Sequence, residues 1–174
     1  MEKLSDSPKD CIRTYSGLFM NVFDPKVEMI SIEDIAHALA NMPRWGGHLK
    51  RHYSVAQHSL LCCEMASAEN KLAALMHDAT EAFMLDLPTP IKAKLPQYKV
   101  YEDRLMAVIA EKFGIQYPFD PEIKIIDTHM LNMEWELLVQ KNDESFKCMT
   151  AIQAKKAFLK QYNELMKGNS GIVL

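Results

Sequence analysis

Ser54-Val55-Ala56-Gln57-His58-Ser59-Leu60-Leu61-Cys62-Cys63-Glu64-Met65 sets the architecture. Ser54 and Gln57 stand three residues apart, as in a capping box, where the hydroxyl accepts an orphan first-turn N–H and the glutamine reaches back to the cap. Val55, Leu60, Leu61 and Met65 supply apolar positions and neither Gly nor Pro interrupts, so the spacing predicts a helix to about residue 68. Thr150-Ala151-Ile152-Gln153 is another full box and opens a last helix that stops near Gly168. Ser31-Ile32-Glu33-Asp34 is close to the same pattern, and its acids suit the N-terminal dipole. Ile32, Ile35, Ala36 and Leu39 form the apolar stripe of that helix, and Pro43 ends it.

The intervals between these anchors are also helical. A third helix runs from about Asn70 through Leu72, Ala73, Leu75 and Met76 to His77-Asp78. Asp86-Leu87-Pro88-Thr89-Pro90 interrupts, with Pro90 and Ile91 opening a short helix. Pro96 to Lys112 has Leu105, Val108 and Ile109 as apolar positions and Gly114 just past its end. Asp120-Pro121-Glu122 reads as an N-cap, a first-position proline and a first-turn acid, opening a helix that reaches about Val139. Residues 44–53, with Gly46-Gly47, form a loop. Residues 1–30 read as loops with short extended pieces, and Val27-Glu28-Met29-Ile30 alternates like a short strand. The expected fold is all-α: a single bundle of six or seven helices over residues 31–168, with residues 1–30 packed on it and a loose tail at 169–174.

Composition narrows the function classes. A chain of 174 residues is the length of one domain and needs no disulfide to bury a core. Hydrophobic residues at 48% and charged residues at 25% exclude a disordered chain. A net charge of −3 argues against binding a nucleic acid polymer. Cys11, Cys62, Cys63 and Cys148 contain no C-x-x-C, so reduced, mostly buried thiols are expected. The segment from Met1 to Asp10 mixes charge signs and lacks the apolar stretch of a signal peptide. No apolar run approaches the ~18 residues of a membrane span. A cytoplasmic protein that does not engage a membrane is expected.

Chemistry enters where metal-capable side chains sit on apolar helices. His58 lies in Ala56-Gln57-His58-Ser59-Leu60, His77-Asp78 ends an apolar helix, and Asp127 follows Ile125-Ile126. An ionised Asp in such a place is costly to bury unless a metal or a partner compensates it. One such residue is ordinarily a satisfied core side chain; three coincidences in one small domain point to ligands. Two imidazoles and two carboxylates suit one divalent ion among manganese, cobalt, zinc, iron and magnesium, with positions left for water and a phosphate oxygen. Glu81 stands four residues after His77 and three after Asp78, on the same face of a continuous helix, where a carboxyl can manage protons.

The ordered set His58, His77-Asp78 and Asp127 resembles the H…HD…D signature of the HD-domain metal-dependent phosphohydrolases. His77-Asp78-Ala79-Thr80-Glu81, followed by Asp86-Leu87-Pro88-Thr89-Pro90-Ile91-Lys92, is similar to the bacterial 5′-deoxynucleotidases and to phage deoxyadenosine-triphosphate triphosphohydrolases. Arg44-Trp45 matches the Arg-Trp pair those nucleotidases carry before the first metal histidine. The resemblance covers roughly residues 31–131. It implies that His58, His77, Asp78 and Asp127 bind the metal and that Glu81 is the catalytic acid. It implies that Arg44 and Lys92 hold phosphate oxygens and that Trp45 sits against the sugar and disfavours a 2′-hydroxyl. Asp86 falls near the nucleotide, where it binds sugar or shapes the loop. The implied activity is hydrolysis of a deoxynucleoside monophosphate or triphosphate, with a deoxynucleotide and further copies of the chain as partners.

Three departures bear on this. Gly46-Gly47-His48-Leu49-Lys50-Arg51-His52 is more basic than the loop of typical monophosphate-specific enzymes, which leaves two readings: a grip on a longer phosphate tail or a solvated charge run. No His occurs from 79 to 126, where two-metal members of the superfamily place extra ligands, so a mononuclear site is expected, with His129 pointing away from Asp127. Ala82 follows Glu81 where alarmone hydrolases of this superfamily have Asp, which counts against that activity. A regulatory module that binds nucleotide without turnover is the remaining alternative, and the presence of every ligand together with Glu81 counts against it.

Overall fold

The computed structural model describes residues 8–169 and is mostly helical, an all-α fold. The helices are α1 (Ile32–Asn41), α2 (Val55–Met65), α3 (Lys71–Met76), α4 (Glu81–Met84), α5 (Thr89–Lys92), α6 (Pro96–Phe113), α7 (Pro121–Glu134) and α8 (Ala151–Asn169). The tail expected from residue 169 lies, except for Asn169 itself, outside the described residues, as do residues 1–7.

α2 is the central element and packs against α1, α3, α7 and α8. Neighbours on every side explain why Val55, Ala56, Gln57, His58, Ser59, Leu60, Cys62 and Cys63 are all buried. Ser54 caps α2 as the spacing predicts, accepting from Gln57 N–H at 3.2 Å. The glutamine does not reach back. Its amide instead donates to Lys147 O at 2.8 Å and accepts from Met149 N–H at 2.7 Å, pinning the segment before α8 onto α2. α8 has the fully reciprocal box: Gln153 N–H donates to Thr150 Oγ1 and Thr150 N–H to Gln153 Oε1. Ser31 caps α1 through Glu33 N–H, while the first-turn acid Asp34 accepts from Ser16 N–H at 2.6 Å and Ser16 Oγ at 2.8 Å. That contact ties the N-terminal segment to α1.

Two expectations are corrected. Residues 27–29 form a 3-10 turn (Val27–Met29), closed by Met29 N–H to Lys26 O and Ile30 N–H to Val27 O. Four alternating residues fit a turn with one buried face as well as a strand, and here Ile30 is the residue that enters the core. The described residues do contain a two-stranded sheet, earlier in the chain, pairing β1 (Ile12–Arg13) with β2 (Phe19–Met20). The last long element before α8 extends about as far as predicted, but beyond Glu134 it continues as a π turn, Trp135–Gln140.

Candidate metal centre

His58 and Glu134 come from the two helices that cross at the centre, α2 and α7. His58 is fully buried. Its Nδ1 donates to Glu134 Oε1 at 2.6 Å, so the neutral ring carries its lone pair on Nε2. His77, at the end of α3, donates from Nδ1 to Ala74 O at 2.7 Å, so its neutral ring likewise carries the lone pair on Nε2. The two Nε2 atoms are 3.3 Å apart.

The carboxylates close on the same point. Asp78 Oδ2 is 3.5 Å from His58 Nε2 and 3.3 Å from His77 Nε2. Asp127 Oδ1, projecting from α7, is 3.5 Å and 3.9 Å from the same two atoms. Metal–donor bonds of ~2.0–2.2 Å put neighbouring donor atoms about 3.0–3.6 Å apart. Four of the five separations fall in that range, and the fifth, 3.9 Å between His77 and Asp127, suits donors set at a wider angle about one ion; the mixed imidazole and carboxylate donors fit a borderline or hard cation. Cys62, one turn after His58 on α2, brings its Sγ to 3.5 Å from His58 Nε2. His58, Cys62 and His77 form a group able to hold a metal ion.

The electrostatics suit a cation. Burial alone would raise the Asp78 and Asp127 carboxyls, but the imidazoles of His77 and His58 outweigh it and hold both below the usual carboxylate range. Burial and Arg44 oppose protonation of His58, yet its hydrogen bonds to Asp127, Cys62 and Glu134 raise its pKa well above the ordinary imidazole value.

Glu134 has no exposed surface and accepts three hydrogen bonds: from His58, from Tyr53 Oη at 2.7 Å and from Arg44 Nε at 3.0 Å. Burial would raise its carboxyl; His58, Arg44 and Tyr53 bring it below the usual range. Arg44 is thus committed on one edge to Glu134, while Nη1 lies 3.8 Å from Asp78 Oδ2. Arg44 is presented by a tight turn in which Trp45 and Gly46 both adopt positive φ, +60° and +59°, uncommon for a tryptophan. An isolated bridge between Pro43 and Ser54 closes the neck of that loop.

The cluster opens into a cleft with two chambers. One, about 480 Å³, is lined by Arg44, Trp45, Glu81, Asp86 and Lys92 beside the two aspartates. The other, about 330 Å³, shares Asp78, Lys92, Lys124 and Asp127 with the first and is bounded by Met106, Tyr117 and Phe119. Eight of the nine residues singled out from the sequence line these chambers, and the ninth, His58, is buried against His77, Asp78 and Asp127. Lys92 donates to Glu102 at 2.8 Å, and Lys124 to Asp127 Oδ2 at 2.8 Å. Trp45 packs on Trp135, ring centroids 5.3 Å apart. His129 is exposed on α7.

The local frame of Glu81 differs from the expected continuous helix. Between α3 and α4 the chain closes i→i+3 bonds, Ala79 N–H to Met76 O and Glu81 N–H to Asp78 O. Glu81 reaches the chamber from this tight turn, so the shared-face argument at ~100° per residue does not hold here. The side chain is buried, and its Oε2 has no hydrogen-bond partner among the described residues. Burial first, then Asp78 and Asp86, drives its pKa well above the ordinary glutamate value despite Arg44 and Lys92, which favours the acid form.

No protein-family model matches the chain. It is 43% identical over 123 residues to YfdR of Escherichia coli K12, an alignment spanning 71% of this chain and 69% of that protein. The chain belongs to the YfdR family. It is also 39% identical over 138 residues to RCAP_rcc00048 of Rhodobacter capsulatus, covering 71% of this chain and 70% of the relative. Both relatives are described as uncharacterized proteins, so the family tie carries no activity with it.

Sequence reasoning overlooked Glu134, Tyr53, Cys62 and Lys124. Two had a visible signal: Glu134 follows Asp127 by seven residues, two helical turns, and Cys62 follows His58 by four. The basic loop, left open between two readings, is used in part for structure. Arg51 donates to Phe146 O at 2.8 Å and Asp143 O at 2.6 Å, and His52 Nε2 lies 3.2 Å from Ala40 O.

Proposed function

We propose that the chain is a divalent-metal-dependent phosphohydrolase of the HD-domain kind, acting on deoxynucleotides. The observation that carries this is the convergence of His58, His77, Asp78 and Asp127, with both imidazoles fixed to offer Nε2. These four side chains would hold one ion of the manganese, cobalt, zinc, iron or magnesium group. When bound there, such an ion supplies charge against the phosphoryl oxygens and lowers the pKa of water.

The chain's own residues account for the remaining work. Glu81, kept protonated by burial and by Asp78 and Asp86, donates a proton to the departing ester oxygen and recovers it from solvent. Arg44, held charged by Glu134, Asp78 and Asp86 against its burial, faces the phosphate from the larger chamber. Lys92 spans both chambers and adds a second cation. Trp45 offers a flat apolar wall to the sugar.

The experiment is a panel of ribo- and deoxynucleoside mono- and triphosphates with Mn2+, Co2+ and Mg2+, reading phosphate, diphosphate and triphosphate. Metal-dependent release from deoxynucleotides supports the proposal. Binding of nucleotide without release, with every ion, contradicts it.

A further inference from the structure

We infer that the same centre has a second, thiolate-containing binding mode, in which His58, Cys62 and His77 capture a thiophilic cation such as Zn2+ or Cd2+ and silence the site. This rests on the metal-site proposal above and adds a donor that the proposal does not use.

Cys62 and His58 are four residues apart on α2, so both side chains lie on the face turned toward the end of α3. Cys62 Sγ is 3.5 Å from His58 Nε2, and that atom is 3.3 Å from His77 Nε2. In a tetrahedral site with metal–nitrogen bonds of ~2.0–2.1 Å and a metal–sulfur bond of ~2.3 Å, nitrogen donors sit ~3.3–3.4 Å apart and nitrogen and sulfur ~3.5–3.6 Å. Both observed separations agree. A fourth donor is at hand in Asp78 Oδ2, 3.3 Å from His77 Nε2. The thiol rests on a small apolar cluster with Ala66, Ala73, Ala74, Ile126 and Met130, a dry floor in which a thiolate–cation contact is not weakened by water.

The two donor sets share both imidazoles, so they exclude each other. Hard ions favour the two carboxylates, and softer ions favour sulfur. When the soft ion binds, the Cys62 S–H bond breaks, an S–metal bond forms and the proton leaves to the buffer. The imidazoles are then unavailable to Mn2+ or Mg2+, and phosphate release stops.

The test is a titration of the full chain with Cd2+ and, separately, Mn2+, reading ion content by mass spectrometry and the near-ultraviolet thiolate-to-Cd band. Cys62→Ala is compared with the near-isosteric Cys62→Ser, with folding checked by circular dichroism. Expected is one Cd2+ with the band in the unsubstituted chain. In both variants the band is lost, and the ratio of Cd2+ to Mn2+ affinity falls roughly tenfold or more. Using the ratio removes any general packing effect of the substitution. Cd2+ bound without a band, or an unchanged ratio, overturns this inference alone. Failure of the unsubstituted chain to bind either ion overturns the metal-site proposal and this inference with it.

Discussion

Replacing Glu134 with glutamine removes one negative charge from the floor of the centre without changing its shape. Oε1 accepts from His58 Nδ1–H and Tyr53 Oη–H, and Oε2 accepts from Arg44 Nε–H. A glutamine has one acceptor oxygen and one NH2 group. If the oxygen stays with His58 and Tyr53, the NH2 confronts the Arg44 N–H, and a buried guanidinium loses its charge partner. If the amide turns round, the NH2 confronts His58 Nδ1 and drives the proton to Nε2, which can then no longer bind a metal. Either outcome harms the site. Removing one partner of a buried ion pair costs about 3–5 kcal/mol, and the retained hydrogen-bonding capacity puts Glu134→Gln near the lower end, about 3 kcal/mol. Loss of a carboxylate behind a ligating histidine typically weakens metal affinity ~10–100-fold. Mn2+ affinity by calorimetry and urea unfolding of the metal-free chain measure the two effects, and 15N shifts of the His58 ring report its tautomer. Affinity within twofold of the unsubstituted chain, with the tautomer unchanged, would refute the assignment of Glu134 as the residue that orients His58.

Other outcomes follow from the same geometry. His77→Ala or Asp78→Ala should abolish bound metal and phosphate release while far-ultraviolet dichroism shows nearly intact helix content. Glu81→Gln should lower turnover by ~10²–10⁴ with the metal retained. Because the folded-state pKa of Glu81 is raised, the metal-free chain should lose stability as pH climbs from the ordinary glutamate range through that raised value, and Glu81→Gln should flatten this fall, as pH-dependent urea midpoints would show. Arg51→Ala should destabilise the fold by about 1–3 kcal/mol through two lost carbonyl contacts, with little change in KM for a monophosphate. Trp45→Ala should shrink the preference for deoxyribo- over ribonucleotides, which through fit alone reaches only ~10²-fold; equal rates on both sugars in the unsubstituted chain would remove that role.

The features legible in the sequence were those set by local chemistry. Ser54, Thr150 and Asp120 start helices because their oxygens satisfy first-turn N–H groups a few atoms away. Gly114 ends α6 because it alone among the neighbouring residues takes φ +66° at no cost. The polar residues on apolar helices were conspicuous for the same reason, since burial makes His58 and Asp127 expensive without company. What stayed hidden depends on which helices cross. Gln57 looks like half of a local cap but serves residues 147–149, and Asp34 looks like a first-turn acid but serves Ser16. Glu134 reads as one more charge on an amphipathic helix until α7 is laid against α2. Cys62 reads as an inert buried thiol, as its burial supports, until His58 and His77 are seen to meet beside it.

The most direct test of the centre is Mn2+ stoichiometry by equilibrium dialysis and mass spectrometry, on the unsubstituted chain and on His58→Ala. One ion per chain in the first and none in the second is the result the geometry predicts. An equal ion content in both, or none in the unsubstituted chain, would contradict it.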